Sequence, residues 1–217
     1  IDRRAGKVLY SNNIRWENVP LAEELGRVIP CPVRIANDAD CAALGEAVAG
    51  AGKDYSDVVM FTLGNGVGGG IILNGEVFEG GMLGGSEVGH MVIKVNGRQC
   101  TCGRKGCLEA YASVPALIKA ASQAAEKEMT LDEIFDDAAK GDTAMTEVLE
   151  QYELMLGTGI VNIVNMYRPQ LILLGGMISE HADVLLEPIR KMMKEDCFGG
   201  PHGMIPEIAV AELGTNA

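Results

Sequence analysis

The chain has 217 residues, 47% of them hydrophobic, which is enough to bury the core of one large domain or two small ones. A net charge of -12 argues against binding DNA, RNA or an acidic membrane surface through a general basic face, and no segment is long and apolar enough to cross a bilayer. Of the six cysteines, Cys31, Cys41 and Cys197 are scattered without a framework pattern, which fits a reducing compartment. Residues 1–30 also lack a signal peptide's apolar centre, so the expected location is the cytoplasm.

In chain order, residues 33–35 are apolar and predict a strand tip, followed by an Ala-rich helix over 38–51 that ends at Gly52. Residues 57–63 (DVVMFTL) predict a buried strand. Residues 68–78 predict the second arm of a hairpin, with Asn74-Gly75 as a further turn. Residues 91–95 predict another short strand. Ser113 is a candidate N-cap, with Pro115 in the first turn of the helix that follows. A short helix over 131–140 closes at Gly141. A long one over 142–167 has an apolar face that reads as core packing, and Arg168-Pro169 stops it. The apolar runs 171–174 and 208–210 predict strands, and 181–196 predicts the last helix. Alternating strands and helices of this kind specify an α/β domain with a mixed sheet flanked by helices.

The segment GGSEVGHMVIKVNGRQCTCGRKGCLE holds the most specific pattern. His90, Cys100, Cys102 and Cys107 offer one imidazole and three thiolates with the spacing His-x9-Cys-x-Cys-x4-Cys, the donor set of a closed tetrahedral Zn²⁺ site of structural type. Gly103 and Gly106 fall between the sulfurs, where a tight loop needs positive φ. Glu87 and Glu109 bracket this knuckle, so a metal there would order a wall carrying two carboxylates. The competing reading is a loop of free thiols.

Three more constellations carry chemistry. Asp38, after Asn37, either caps the helix that begins there or acts as a general base towards a bound hydroxyl; Asn37 beside it can donate and accept, which suits a vicinal diol. The run Leu63-Gly-Asn-Gly-Val-Gly-Gly-Gly70 is either a glycine-rich β-turn or a nest of amides for a phosphate. It is not a Walker A sequence, since no Gly-Lys-Ser/Thr follows. In Leu174-Gly-Gly-Met-Ile-Ser179 an apolar strand meets a double glycine before a helix, which admits a nucleotide close to the backbone.

In this order the motifs resemble the ROK family of sugar kinases and sugar-responsive repressors, within the actin-like (ribonuclease H-like) ATPase superfamily. The resemblance spans nearly the whole chain, and CTCGRKGCLEAYAS is most similar to the family's glucokinases. It implies an actin-like lobe, with the knuckle over 90–109, and ATP-dependent phosphorylation of a hexose, most simply glucose to glucose 6-phosphate. Asp38 matches the catalytic base. Asn37, Glu87, His90 and Glu109 match the sugar-binding residues. Gly64, Asn65 and Gly66 match a phosphate loop, where the family usually has threonine at the position of Asn65, and Gly175 and Gly176 match the adenosine side. His90, Cys100, Cys102 and Cys107 match zinc ligands. ATP and Mg²⁺ are the implied cofactors beside Zn²⁺, and a homodimer or homotetramer is the implied assembly. The Asp-x-Gly-Gly-Thr loop of the family's N-terminal lobe does not occur in the sequence, so residues 1–217 are expected to form the C-terminal lobe of such a kinase, inactive by itself. The alternative is a sugar-responsive repressor of the same family, with its DNA-binding domain upstream.

Overall fold

The computed structural model describes residues 1–11, 14–81 and 85–214.

The chain opens with an antiparallel hairpin, β1 (Val8–Ser11) and β2 (Trp16–Val19), and a short helix, α1 (Leu21–Gly26). Sequence reading finds none of the three. Val8 is the one fully buried residue in the hairpin, so no apolar alternation marks it. Residues 33–35 do not form the expected strand. Pro30 and Pro32 lie just before this stretch, and prolines remove donors a ladder needs.

Helix α2 (Asp38–Ala49) begins one residue earlier than its expected cap allows. Asn37 is the N-cap: its backbone is extended and its side-chain oxygen accepts the amides of Ala39 and Asp40 at 2.9 and 3.1 Å. Asp38 is therefore the first helical residue; its Oδ1 shares the Ala39 amide with Asn37, at 2.9 Å.

Five strands form the main sheet: β3 (Val58–Leu63), β4 (Val67–Leu73), β5 (Glu76–Val77), β6 (Leu171–Gly175) and β7 (Glu207–Val210). Their order is β5-β4-β3-β6-β7, with β3, β6 and β7 parallel and β4 antiparallel to β3. The expected mixed sheet is present. The hairpin and the Asn74-Gly75 turn fall where the sequence places them, both turn residues having positive φ. Residues 91–95 make no strand; Val92 forms only an isolated bridge to Cys107, and the amides of Ile93 and Lys94 both turn to the Gly106 carbonyl. Met91 and Ile93 are apolar because this loop packs against the core, not because it belongs to the sheet.

The remaining helices are α3 (Glu109–Ala112), α4 (Val114–Ala125), α5 (Leu131–Ala139), α6 (Thr143–Tyr167) and α7 (Ala182–Asp196). Thr130 and Glu133 form a capping box on α5, and Asp142 caps α6 by accepting the Met145 amide. Val59, Phe61, Leu63, Ile172 and Leu174 build the larger core with α4, α6 and α7. Val58, Met60, Leu171 and Leu173 point to the other face, where Ala43 of α2 joins them. Strand β6 is buried on both faces, which explains its unbroken apolar run.

The far end of α2 carries a buried latch. Glu46 is fully buried; its Oε2 accepts the amides of Ala51 (3.0 Å) and Glu212 (3.1 Å), and its Oε1 accepts that of Leu213 (2.7 Å). Charge-assisted bonds of this kind hold the chain leaving β7 to the end of α2. Glu46→Gln keeps the shape but replaces one acceptor oxygen with a donor, leaving at least one amide unpaired. Urea unfolding is expected to show a loss of about 2 kcal/mol. A loss below about 0.5 kcal/mol, typical of a surface change, would show that the latch does not bear on stability.

Candidate functional site

The C-terminal ends of the parallel strands β3 and β6 lie side by side, with Thr62 in register with Gly175. In open α/β sheets this is where ligands bind. The turn Gly64-Asn65-Gly66 leaves β3 and Gly176 leaves β6. Gly176 has a φ of +87° and lies so near β3 that a Cβ on it would come within 2.7 Å of the Leu63 carbonyl oxygen. The Gly64 amide donates to Gly66 and the Gly64 carbonyl accepts the amide of Val114, the first residue of α4. Ser113 precedes that helix without bonding through its side chain.

The neighbouring glycines serve packing. Gly68 and Gly70 face α2, where a Cβ at Gly70 would strike the Ala39 carbonyl and the Ala43 side chain. Gly69 faces the opposite way, towards Val88 in the 3₁₀ turn Val88–His90. Gly66 makes room for a carboxylate: a Cβ there would lie 2.6 Å from Glu109 Oε2.

This arrangement gathers residues far apart in sequence. Asp38 is exposed at the start of α2, and Asn37 beside it is half-buried, its oxygen already engaged by capping, so its NH₂ is left to donate. Glu87 is exposed immediately before the 3₁₀ turn and His90 is half-buried at its end. Glu109, the first residue of α3, accepts the Val67 amide at 3.3 Å through Oε2 and the Thr101 hydroxyl at 3.0 Å through Oε1. It thus touches the glycine turn and the cysteine loop together. Asn65 is exposed at the tip of its turn, Gly176 is exposed, and Gly175 is buried within β6.

His90, Cys100, Cys102 and Cys107 converge, their ligand atoms all within 4.8 Å of one another. His90 Nδ1 lies 3.7 Å from Cys100 Sγ, and Cys102 Sγ lies 3.7 Å from Cys107 Sγ. A tetrahedron with Zn–S bonds of 2.3 Å has edges of about 3.8 Å, so these four residues fit a tetrahedral ion. Gly103 and Gly106 adopt φ of +88° and +81°. Burial, then hydrogen bonding to the other two thiols, pushes the Cys107 thiol up to about 12, and burial raises that of Cys100. The Arg104 amide lowers Cys102. Because Nδ1 faces the thiols, Nε2 lies on the outer edge of the ring.

Sequence reading misses several contributors: Thr101, which holds Glu109; Glu46, which anchors α2; and Asp40, a buried carboxyl beside the site. Glycine spacing could have shown that 66 and 68–70 are close approaches, but not what approaches them. A cavity of about 370 Å³ lies away from the glycine turns, lined by Lys94, Arg98, Tyr111, Leu117 and Tyr152 among others; Asp38 and Glu87 are not part of it.

Among known proteins, the glucokinase of Halalkalibacterium halodurans is 36% identical over 208 residues, which cover 88% of this chain and 62% of that protein. The xylose repressor of Bacillus spizizenii is 33% identical over 214 residues, 97% of this chain and 54% of that protein. The chain therefore spans about half to two-thirds of the length of these relatives. A crystal structure of a ROK family glucokinase from Streptomyces griseus in complex with glucose and AMPPNP superimposes with a TM-score of 0.89 at 32% identity, covering 98% of this chain and 73% of that one. Its sheet and helices have the architecture described above. The ROK family as a whole matches residues 1–217, and the chain belongs to it.

Proposed function

We propose that this chain supplies the sugar-binding wall and the catalytic base of an ATP-dependent hexose kinase. The observation that carries the reading is that Glu109 and the segments bearing Asp38, Glu87 and His90 pack around the start of β4, through Ala39 and Val88, beside glycine turns at the ends of two parallel strands. Support comes from the glucokinase relative and from the superimposed kinase, whose complex holds glucose and a nucleotide analogue. Glucose is the first substrate to test.

In this reading the Asn37 NH₂, the carboxylates of Glu87 and Glu109 and the Nε2 edge of His90 bind the sugar hydroxyls, each hydroxyl donating to one group and accepting from another. Asn37 is the N-cap, and although Asp38 Oδ1 also accepts the Ala39 amide, the exposed Asp38 carboxylate keeps a second oxygen to take a proton. The proton of the attacking hydroxyl passes to the Asp38 carboxylate as the sugar oxygen bonds the γ-phosphorus and the bond to ADP breaks. Mg²⁺ accompanying the nucleotide supplies charge neutralisation. Amides of residues 64–66 and 175–176 face the nucleotide. Zinc held by His90, Cys100, Cys102 and Cys107 supplies rigidity: it fixes the His90 ring and the loop from which Thr101 holds Glu109. Thiolate ligands need a reducing compartment, which favours a cytoplasmic protein; no helix among the described residues is long and apolar enough to cross a membrane.

A second reading rests on the xylose repressor, whose identity to this chain is comparable. There the same wall senses a sugar and no phosphoryl transfer follows. A coupled assay for ADP release, on the whole protein that contains this chain, separates the two.

Asp38→Asn is expected to lower kcat by at least about 100-fold while hexose affinity stays within about tenfold, because the amide keeps the shape but cannot take a proton. A variant keeping a tenth of the wild-type kcat would remove Asp38 from the chemistry. Protein never exposed to chelator is expected to carry one zinc per chain by elemental analysis. Its removal should weaken hexose binding and loosen residues 90–109 without unfolding the sheet, since most of the core around Val59, Phe61 and Ile172 comes from the sheet and α4, α6 and α7, to which the loop adds Met91, Ile93 and Leu108. Less than about a tenth of a zinc per chain, or global unfolding on chelation, overturns this assignment.

A further inference from the structure

Asp40 sits in the first turn of α2, two residues after Asp38, and is only 8% exposed. Among the described residues its Oδ1 has no hydrogen-bond partner. Leaving a buried carboxylate oxygen unpaired is costly, and such an atom needs a reason. Its Oδ2 faces Gly85, where a Cβ would lie 3.0 Å away; Gly85 has a φ of +71°. The next residue, Ser86, carries the other buried side-chain atom without a partner, its hydroxyl Oγ. Two orphaned groups, a carboxyl and a hydroxyl, thus lie on the two sides of one seam. One side is the turn that begins with Asp38. The other is the segment that ends in Glu87.

The charges around Asp40 explain its character. Burial first, then the Glu79 carboxylate, raise its pKa to about 6; Asp38 and Glu87 push the same way, and Arg3 opposes them. Arg3 is itself paired with Glu79 at 2.7 Å, which blunts its pull. Ionised at neutral pH, this carboxylate can accept the hydrogen of the Ser86 hydroxyl; protonated below about pH 6 it can also donate.

We propose that Asp40 is a positioning residue that joins the Ser86 hydroxyl when sugar binds, pinning residues 85–87 to the first turn of α2 and so setting Glu87 against Asp38. The inference rests on the reading of Asp38 and Glu87 as a sugar site. It explains why the seam keeps two polar groups unpaired in the free protein: both are satisfied only when the wall closes.

The test combines Asp40→Ala, Asp40→Asn, Ser86→Ala and the double variant Asp40→Ala with Ser86→Ala in zinc-loaded protein. Hexose affinity is measured by calorimetry, and amide hydrogen exchange over 85–88 is followed with and without hexose. In wild type, hexose slows exchange in this segment. Each alanine variant is expected to weaken hexose binding about tenfold and to abolish that slowing, and the double variant should be no worse than either single one. Asp40→Asn, whose amide still donates and accepts, should stay within about threefold of wild type. A purely structural Asp40 would instead lower the melting temperature of Asp40→Ala and leave hexose affinity and exchange over 85–88 unmoved. That result, or additive losses in the double variant, overturns the proposal. If Asp40→Ala does not fold, Ser86→Ala against Asp40→Asn decides by the same criteria. Should wild type bind no hexose, the sugar-site reading fails and the positioning role falls with it; hexose binding with exchange over 85–88 unmoved in wild type overturns the positioning role alone.

Discussion

Residues 68–70 of strand β4 are pressed from both sides by groups that leave no space for side chains on them. Ala39 and Ala43 of α2 occupy the room above Gly68 and Gly70, and Val88 occupies the room beneath Gly69. Glycine in a strand weakens the ladder and packs nothing of its own, so three in a row carry a cost that something else offsets. What they permit is the approach of two unrelated segments to one short stretch of backbone. One segment begins with Asp38 and the other ends with His90. A single Cβ at position 70 would lift α2 off the sheet, moving its first carboxylate with it. Placement of the polar wall thus depends on the absence of side chains.

Glu109 ties the second half of the site together. Its two oxygens serve different masters, one the Val67 amide at the end of the glycine turn and the other the Thr101 hydroxyl between two cysteines. Order in the cysteine loop is thereby transmitted to the turn after β3, with Gly66 left bare to admit the carboxylate. A closed four-ligand metal set is suited to this, because it holds loop backbone rigid without offering an open coordination position. In the proposed reading the chemistry comes from carboxylates and an imidazole, and a metal held by the four ligands would keep them in place.

Most of the architecture was legible in the sequence, because period and punctuation are local. The apolar run of β6, the Asn74-Gly75 turn and the Gly141 stop after α5 each follow from a few adjacent residues. The cysteine loop was legible for the same reason, as its ligand spacing lies within one short segment. What escaped depends on contacts between distant segments. The β1–β2 hairpin has one buried residue and no pattern to read. Residues 91–95 look like a strand but are apolar because a loop packs inward. The cap of α2 was misplaced by one position, since Asn and Asp are both good caps and only backbone geometry separates them. Asp40 and Glu46 read as ordinary polar positions of a helix; their burial comes from Gly85 and from the chain after β7, which periodicity cannot reveal.

Helix α2 is a rigid rod of 12 residues, about 18 Å long. At one end it presents Asp38, and near the other Glu46 grips the backbone of residues 212 and 213. A rod held this way behaves as a lever. Tension on the polypeptide after residue 213 is borne by Glu46 and arrives at Asp38 as a tilt, not as local fraying. Anything tethered close beyond the latch, a tag, a surface or a neighbouring domain, therefore loads the helix whose angle sets Asp38, the proposed base. Attachment near the β1–β2 hairpin loads no such element.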